Sequence, residues 1–175
     1  MSNSAPAAAP GGTQPPAGSI AHLPLPLFAA PMGIGGLGLA WREAGHTIGA
    51  PALVGEVILL LAGLVWLGVM GLHIVRATCH PEMLAGDLKH PIRSAFAGAV
   101  TIGLMIVAGG LVPHARGAAE TIWLVAVVAH LGIGIWTVRG LLVAPRETTT
   151  LMPPLLIPMV GNILAPVIGA KLGFT

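Results

Sequence analysis

Val57-Ile-Leu-Leu-Leu-Ala-Gly-Leu-Val-Trp-Leu-Gly-Val-Met-Gly-Leu-His-Ile-Val75 contains no Asp, Glu, Lys or Arg. A bilayer core of about 30 Å takes about 20 such residues per helical crossing, so this stretch reads as a membrane span. Four more stretches meet the same requirement, 24–41, 94–113, 121–138 and 151–170, and every charged residue falls outside all five. Spanning β-strands would alternate apolar with polar positions, whereas these runs are apolar on every face. The expectation is an all-α integral membrane protein with five transmembrane helices arranged in hairpins.

Composition points the same way. Of 175 residues 55% are hydrophobic and 8% charged, with a mean hydropathy of +0.89, too few charges to wet a soluble globule. Eight Lys and Arg against six Asp and Glu leave a net charge of +2, which excludes a nucleic-acid footprint. Cys79 is the lone cysteine and forms no internal disulfide. Residues 1–21 are rich in Ala, Pro, Gly and Ser and read as a disordered tail, with 22–175 as the membrane domain. The first basic residue, Arg42, follows the first run. A signal peptide carries its basic residues before the apolar run, so the first helix is expected to stay in the mature protein.

Basic residues in the loops set the orientation. Arg76, Lys89, Arg93, Arg139 and Arg146 fall on one side, and Arg42, Arg116 and Lys171 on the other. The positive-inside rule then places the N-terminus in the cytoplasm of a multi-pass protein of the inner (plasma) membrane.

Odd and even runs differ in kind. Pro24, Pro26, Pro31, Pro113, Pro153, Pro154, Pro158 and Pro166 all lie in runs one, three and five, and runs two and four have no proline. The odd runs also hold most of the glycine, including Gly33, Gly35, Gly36, Gly38, Gly109 and Gly110. Runs two and four carry Trp66, Trp123 and Trp136 among Leu, Val and Ile. Proline frees backbone groups that lipid does not satisfy and that protein or a watery path does. The expectation is slender odd helices inside, around a conduit, and bulky even helices facing lipid. Pro and Gly are also commoner in membrane helices generally.

Helical spacing nominates the lining. Pro158, Asn162 and Pro166 share one face of run five, Pro31, Gly35 and Gly38 one face of run one, and Gly98, Thr101 and Met105 with Ser94 one face of run three. Close helix packing uses the same small residues, and Asn162 also suits a carbonyl freed by Pro166. No carboxylate lies within the runs to select cations. Arg76, Lys89 and Arg93 gather at one mouth, where they would raise local anion concentration, or serve as ordinary positive-inside charges. His130, mid-run in the fourth helix, reads as a neutral imidazole bonded to a neighbouring helix. His73, Glu56 and Glu120 read as boundary residues. Cys79 and His80 lack metal-site spacing, and Asp87 is too isolated for a catalytic triad, so no enzyme, metal or cofactor is expected.

Three ordered motifs carry a family likeness. Phe28-Ala-Ala-Pro-Met-Gly-Ile-Gly-Gly-Leu-Gly-Leu-Ala-Trp41, His90-Pro-Ile-Arg-Ser-Ala-Phe96 and Pro154-Leu-Leu-Ile-Pro-Met-Val-Gly-Asn162 with Ala165-Pro166 resemble the tellurite-resistance/dicarboxylate transporter family, which includes slow anion channels. That resemblance implies a ten-helix pore barrel of five hairpins, odd helices inside, in trimers, passing C4-dicarboxylates or oxyanions such as tellurite. This chain matches the N-terminal half of such a barrel. The family's gating phenylalanine, on the ninth helix, has no counterpart here, and Phe28, Phe96 and Phe174 do not take its role. The expectations are therefore a channel or carrier for small anions that is truncated, or completed by a second copy or a partner half-chain; a non-conducting membrane assembly or regulatory subunit; or an inactive fragment.

Overall fold

The computed structural model describes residues 19–143 and 153–174. Residues 1–18 of the expected tail, Arg146, and positions 151 and 152 of the fifth run lie outside them. Two 3-10 turns, Ile20–His22 and Leu25–Phe28, lead into α1 (Ala29–Ile48). The helices α2 (Ala52–Cys79), α3 (Pro81–Lys89), α4 (Pro91–Ala95), α5 (Ala97–Leu111) and α6 (Arg116–Val143) follow. A 3-10 turn at Pro153–Leu156 then enters α7 (Ile157–Lys171). Gly49, at φ 72°, ends α1 in the left-handed conformation that glycine adopts without cost and donates its N–H to Ala44 O. Prolines at the first position open α3 and α4, where no N–H is required.

Helix α5 is the centre of the bundle. α1 and α2 form one antiparallel hairpin, α5 and α6 a second, and α7 packs on α5 and α6. Of the span Ile92–Leu111, 56% is buried, against 22% for each of Ala52–Cys79 and Arg116–Gly140. Small residues let the neighbours close on α5: Gly98 meets the backbone of Pro158, Gly103 the indole of Trp66, and Gly109 the side chains of Ile168 and Leu39. Leu60, Leu64 and Leu67 on α2 and Val128, Leu131 and Ile135 on α6 stand exposed, as lipid-facing side chains do.

Among the described residues, three helical spans are long and apolar enough to cross a membrane, Ala52–Cys79, Ile92–Leu111 (α4 running on through Phe96 into α5) and Arg116–Gly140, against the five crossings expected from five runs. α1 has 20 residues but includes Arg42 and Glu43. α7 has 15 residues, about 22 Å of helix against a core of about 30 Å. α1 and α2 also continue beyond the charges that bounded the runs, where Arg42 pairs with Glu56, Glu43 with Lys171 and Arg76 with Asp87 rather than lying free in loops.

Two boundaries of the sequence reading shift. Ile20 and Ala21, assigned to the tail, form a 3-10 turn in which Ala21 is fully buried. Trp66, on an even helix, points inward: it is 7% exposed and donates from Nε1 to Val100 O at 3.0 Å. An indole N–H at membrane depth needs an acceptor, and the nearest protein carbonyl lies on α5.

Candidate functional site

The odd-run helices α1, α5 and α7 enclose a groove of about 400 Å³. Gly36 and Ala40 form one wall, Ile106 and Gly109 the floor, and Leu164 and Val167 the other wall. Its charged end holds Glu43 and Lys171, which also border an adjoining recess with Arg42, His46 and Pro113. Lys171 Nζ lies 3.2 Å from Glu43 Oε2. Apart from this pair the lining is apolar, with Gly36, Ala40 and Gly109 set among Leu39, Ile106, Leu164, Val167 and Ile168, so a solute entering it meets charge only at that end.

The same end is tied together by Arg42. Its Nε and Nη2 donate to Glu56 Oε1 and Oε2 at 2.9 and 2.8 Å, while Nη1 and Nη2 reach the carbonyls of Gly109 and Gly110 at 2.9 and 3.1 Å. Those carbonyls end α5 and have no partner within the helix, so one guanidinium caps α5 and joins α1 to α2. His114 Nε2 adds a second contact to Glu56 at 2.8 Å. Arg116 pairs with Glu120 at 3.1 Å and donates to the carbonyl of Leu172 beyond α7.

The opposite end holds a second ion cluster. Asp87 of α3 accepts from Arg76 Nη2 at 2.6 Å and from Arg93 Nη1 at 2.5 Å, and Arg76 Nε donates to Ala21 O at 3.0 Å. Arg76 is 2% exposed. It therefore acts as a fastener between α2, α3 and the N-terminal turn. Of the three cations expected at this mouth, Arg93 and Lys89 are exposed and Arg76 is buried, because Asp87 neutralises it on the inside of the loop.

A third polar cluster sits at membrane depth. His130 of α6 places Nδ1 2.7 Å from Thr101 Oγ1 on α5 and Nε2 2.9 Å from Pro158 O on α7. The Pro158 carbonyl only accepts, so Nε2 carries a proton, while the one proton of the Thr101 hydroxyl is shared between two neighbours, His130 Nδ1 and the Gly98 carbonyl. That hydroxyl lies 2.9 Å from Gly98 O. Three helices are joined by one imidazole, as the sequence reading of a histidine bonded to a neighbouring helix expected.

The nine lining candidates fall elsewhere than the groove. Pro31, Gly35 and Gly38 are buried, with Ile106 and Ala62 filling the space beside Gly35 and Leu59 that beside Gly38. Gly98 rests on Pro158, Thr101 on His130, and Met105 lies at 0% exposure in a core with Ala126 and Ile168. Pro158 is buried in the same contact, and Pro166 is exposed. Asn162 is exposed and borders a separate crevice between α6 and α7 with Leu131, Ile135 and Arg139. Its Nδ2 donates to Pro158 O at 3.4 Å rather than to a carbonyl freed by Pro166. On α1 and α5 the candidates lie on faces that pack against other helices, and the groove lies beside those faces. Gly36, Ala40 and Glu43, which follow one another at helical spacing on α1, and Lys171 border the groove and are not among the candidates. The available signal was two opposite charges at the ends of odd helices one and five.

Phe28 is 1% exposed and packs on His73, with ring centroids 4.9 Å apart, and on Trp66, away from the groove. Among the described residues no three His, Cys, Asp or Glu side chains converge as a metal site would need.

No curated protein matches the chain. A family profile matches residues 22–174, which contain the first, middle and last motifs and all three helices that border the groove. The resemblance read from those motifs is thus confirmed at the level of family, and the chain belongs to the voltage-dependent anion channel family.

Proposed function

We propose that the protein takes part in the passage of small anions across a membrane along the face formed by α1, α5 and α7. The observation that carries this reading is the groove itself. It is bordered by Gly36, Ala40, Ile106 and Gly109, while the helices with the bulkiest exposed apolar surface, α2 and α6, lie to either side. Family membership supplies the class of solute. C4-dicarboxylates and oxyanions such as tellurite are the substrates we assign, as a channel or a carrier.

The half-barrel of five crossings, with α1 and α7 as inner helices, belongs to the same proposal, as do the inner membrane and a cytoplasmic N-terminus. Gly36, Ala40 and Val167 are exposed, so the groove is open along one side. That openness supports completion by a second copy, in a trimer or otherwise, or by a partner half-chain. It equally favours a second reading, a membrane assembly subunit that conducts nothing alone. Uptake of labelled malate into proteoliposomes holding this chain alone separates the two: uptake above empty vesicles supports conduction, and uptake only after a partner is added supports the assembly role.

A further inference from the structure

We infer that Lys171 is the cation that recruits anions to the groove, and that Glu43, reaching across from α1, holds it in check. The inference rests on the α1–α5–α7 face being the path for anions and names a selectivity-determining pair within it. Both arginines described at this end, Arg42 and Arg116, have their charge committed elsewhere. Arg42 has a side chain 15% exposed and is taken up by Glu56 and the carbonyls ending α5. Arg116 is occupied by Glu120 and the Leu172 carbonyl, and His114 by Glu56. Among the described Lys and Arg side chains, Lys171 alone borders both the groove and the recess at its end.

Its partner is held loosely. The Lys171 side chain is 42% exposed and that of Glu43 59%, at 3.2 Å. A pair this open to water exchanges readily with competing ions. Lys171 also sits in the last turn of α7, where the helix dipole favours positive charge, so the ammonium stays in place when the carboxylate leaves. An arriving carboxylate or oxyanion takes the position of the Glu43 carboxylate against Nζ. Glu43 also opposes entry directly, since it is the one carboxylate bordering the groove among the described residues. Removing it leaves the groove mouth positive, and removing Lys171 leaves it negative.

The experiment compares the full chain with Glu43→Gln, Lys171→Gln and the double variant in proteoliposomes, reading malate uptake at low salt and at high salt. Glu43→Gln is expected to raise uptake about threefold at low salt and Lys171→Gln to lower it by a similar factor, both effects fading as salt screens the mouth. The double variant, whose mouth is neutral, is expected to lie above Lys171→Gln and below the unmodified chain, so that the gain from Glu43→Gln is smaller without Lys171. In parallel, Ala40→Cys in a Cys79→Ser background is modified with anionic and cationic thiosulfonates. The ratio of the two rates reports the groove potential whether or not the chain conducts. Glu43→Gln should raise the anionic-to-cationic ratio and Lys171→Gln should lower it. A shifted ratio without malate uptake keeps this inference and removes the conduction reading. A ratio unmoved by either variant overturns the inference, as does an uptake gain from Glu43→Gln that persists undiminished without Lys171.

Discussion

Gly161 of α7 lies flat against the imidazole of His130 on α6, with no space for one methyl group between them. The ring is fixed from both sides by Thr101 and the Pro158 carbonyl, so it has nowhere to withdraw. α7 can approach α6 only because position 161 is bare backbone. Gly161→Ala should therefore destabilise the fold by about 1–3 kcal/mol through overpacking. Gly132→Ala, where an added Cβ meets nothing, should be neutral or gain up to about 1 kcal/mol from helix propensity. Thermal unfolding in detergent distinguishes them; equal behaviour of the two variants contradicts the packing described.

Thr101→Val keeps the shape and removes the hydroxyl. His130 Nδ1 is then buried without a partner, at a cost of about 1–3 kcal/mol, whereas Thr101→Ser retains the bond and should lose much less. The same unfolding measurement checks the order wild type, Ser, Val.

Arg76 and Asp87 form the buried ion pair of the molecule's other end, with side chains 2% and 6% exposed. Arg76→Ala leaves the Asp87 carboxylate with only the exposed Arg93, and should cost about 3–5 kcal/mol. Arg93→Gln, at a side chain 52% exposed, should cost at most about 1 kcal/mol. Comparable losses from the two variants, read by denaturation in detergent, would show that burial does not separate their roles.

Cys79 is exposed at the C-terminus of α2, beside the more basic end. With the N-terminus cytoplasmic, a membrane-impermeant thiol reagent should label Cys79 in inside-out vesicles and leave it untouched in right-side-out ones. Labelling in the opposite sense reverses the orientation.

Much of the architecture was legible because lipid imposes a simple rule: charge-free runs of adequate length become helices. The exposed Leu60 and Leu64 on α2 and Val128 and Leu131 on α6 follow from the bulk of the even runs, and the central place of α5 from its glycine and alanine content. Trp66 escaped this reasoning because a mid-run indole must find a carbonyl, and only the folded hairpins bring Val100 O within reach. The lengths of α1 and α7 escaped it too, since Arg42 sits inside a helix by virtue of Glu56 and two α5 carbonyls distant in sequence.

The candidate site was legible only by helix. Small residues at helical spacing mark a face, yet the letters Pro31, Gly35 and Gly38 serve close packing as well as an open bore. Which use applies depends on whether Leu59 and Ile106 fill the space, and that information lies on other helices. Gly36, one residue beyond Gly35, and Ala40, two beyond Gly38, border the groove instead.

Site-directed thiol block asks whether anions pass along the α1–α5–α7 face. In a Cys79→Ser background, Gly36→Cys and Val167→Cys place a thiol in the groove, while Leu64→Cys and Ile135→Cys place one on the exposed apolar faces of α2 and α6. With malate uptake as the readout, an anionic thiosulfonate should inhibit the first two variants and spare the second two. Inhibition at Leu64→Cys or Ile135→Cys with Gly36→Cys and Val167→Cys unaffected would contradict the account.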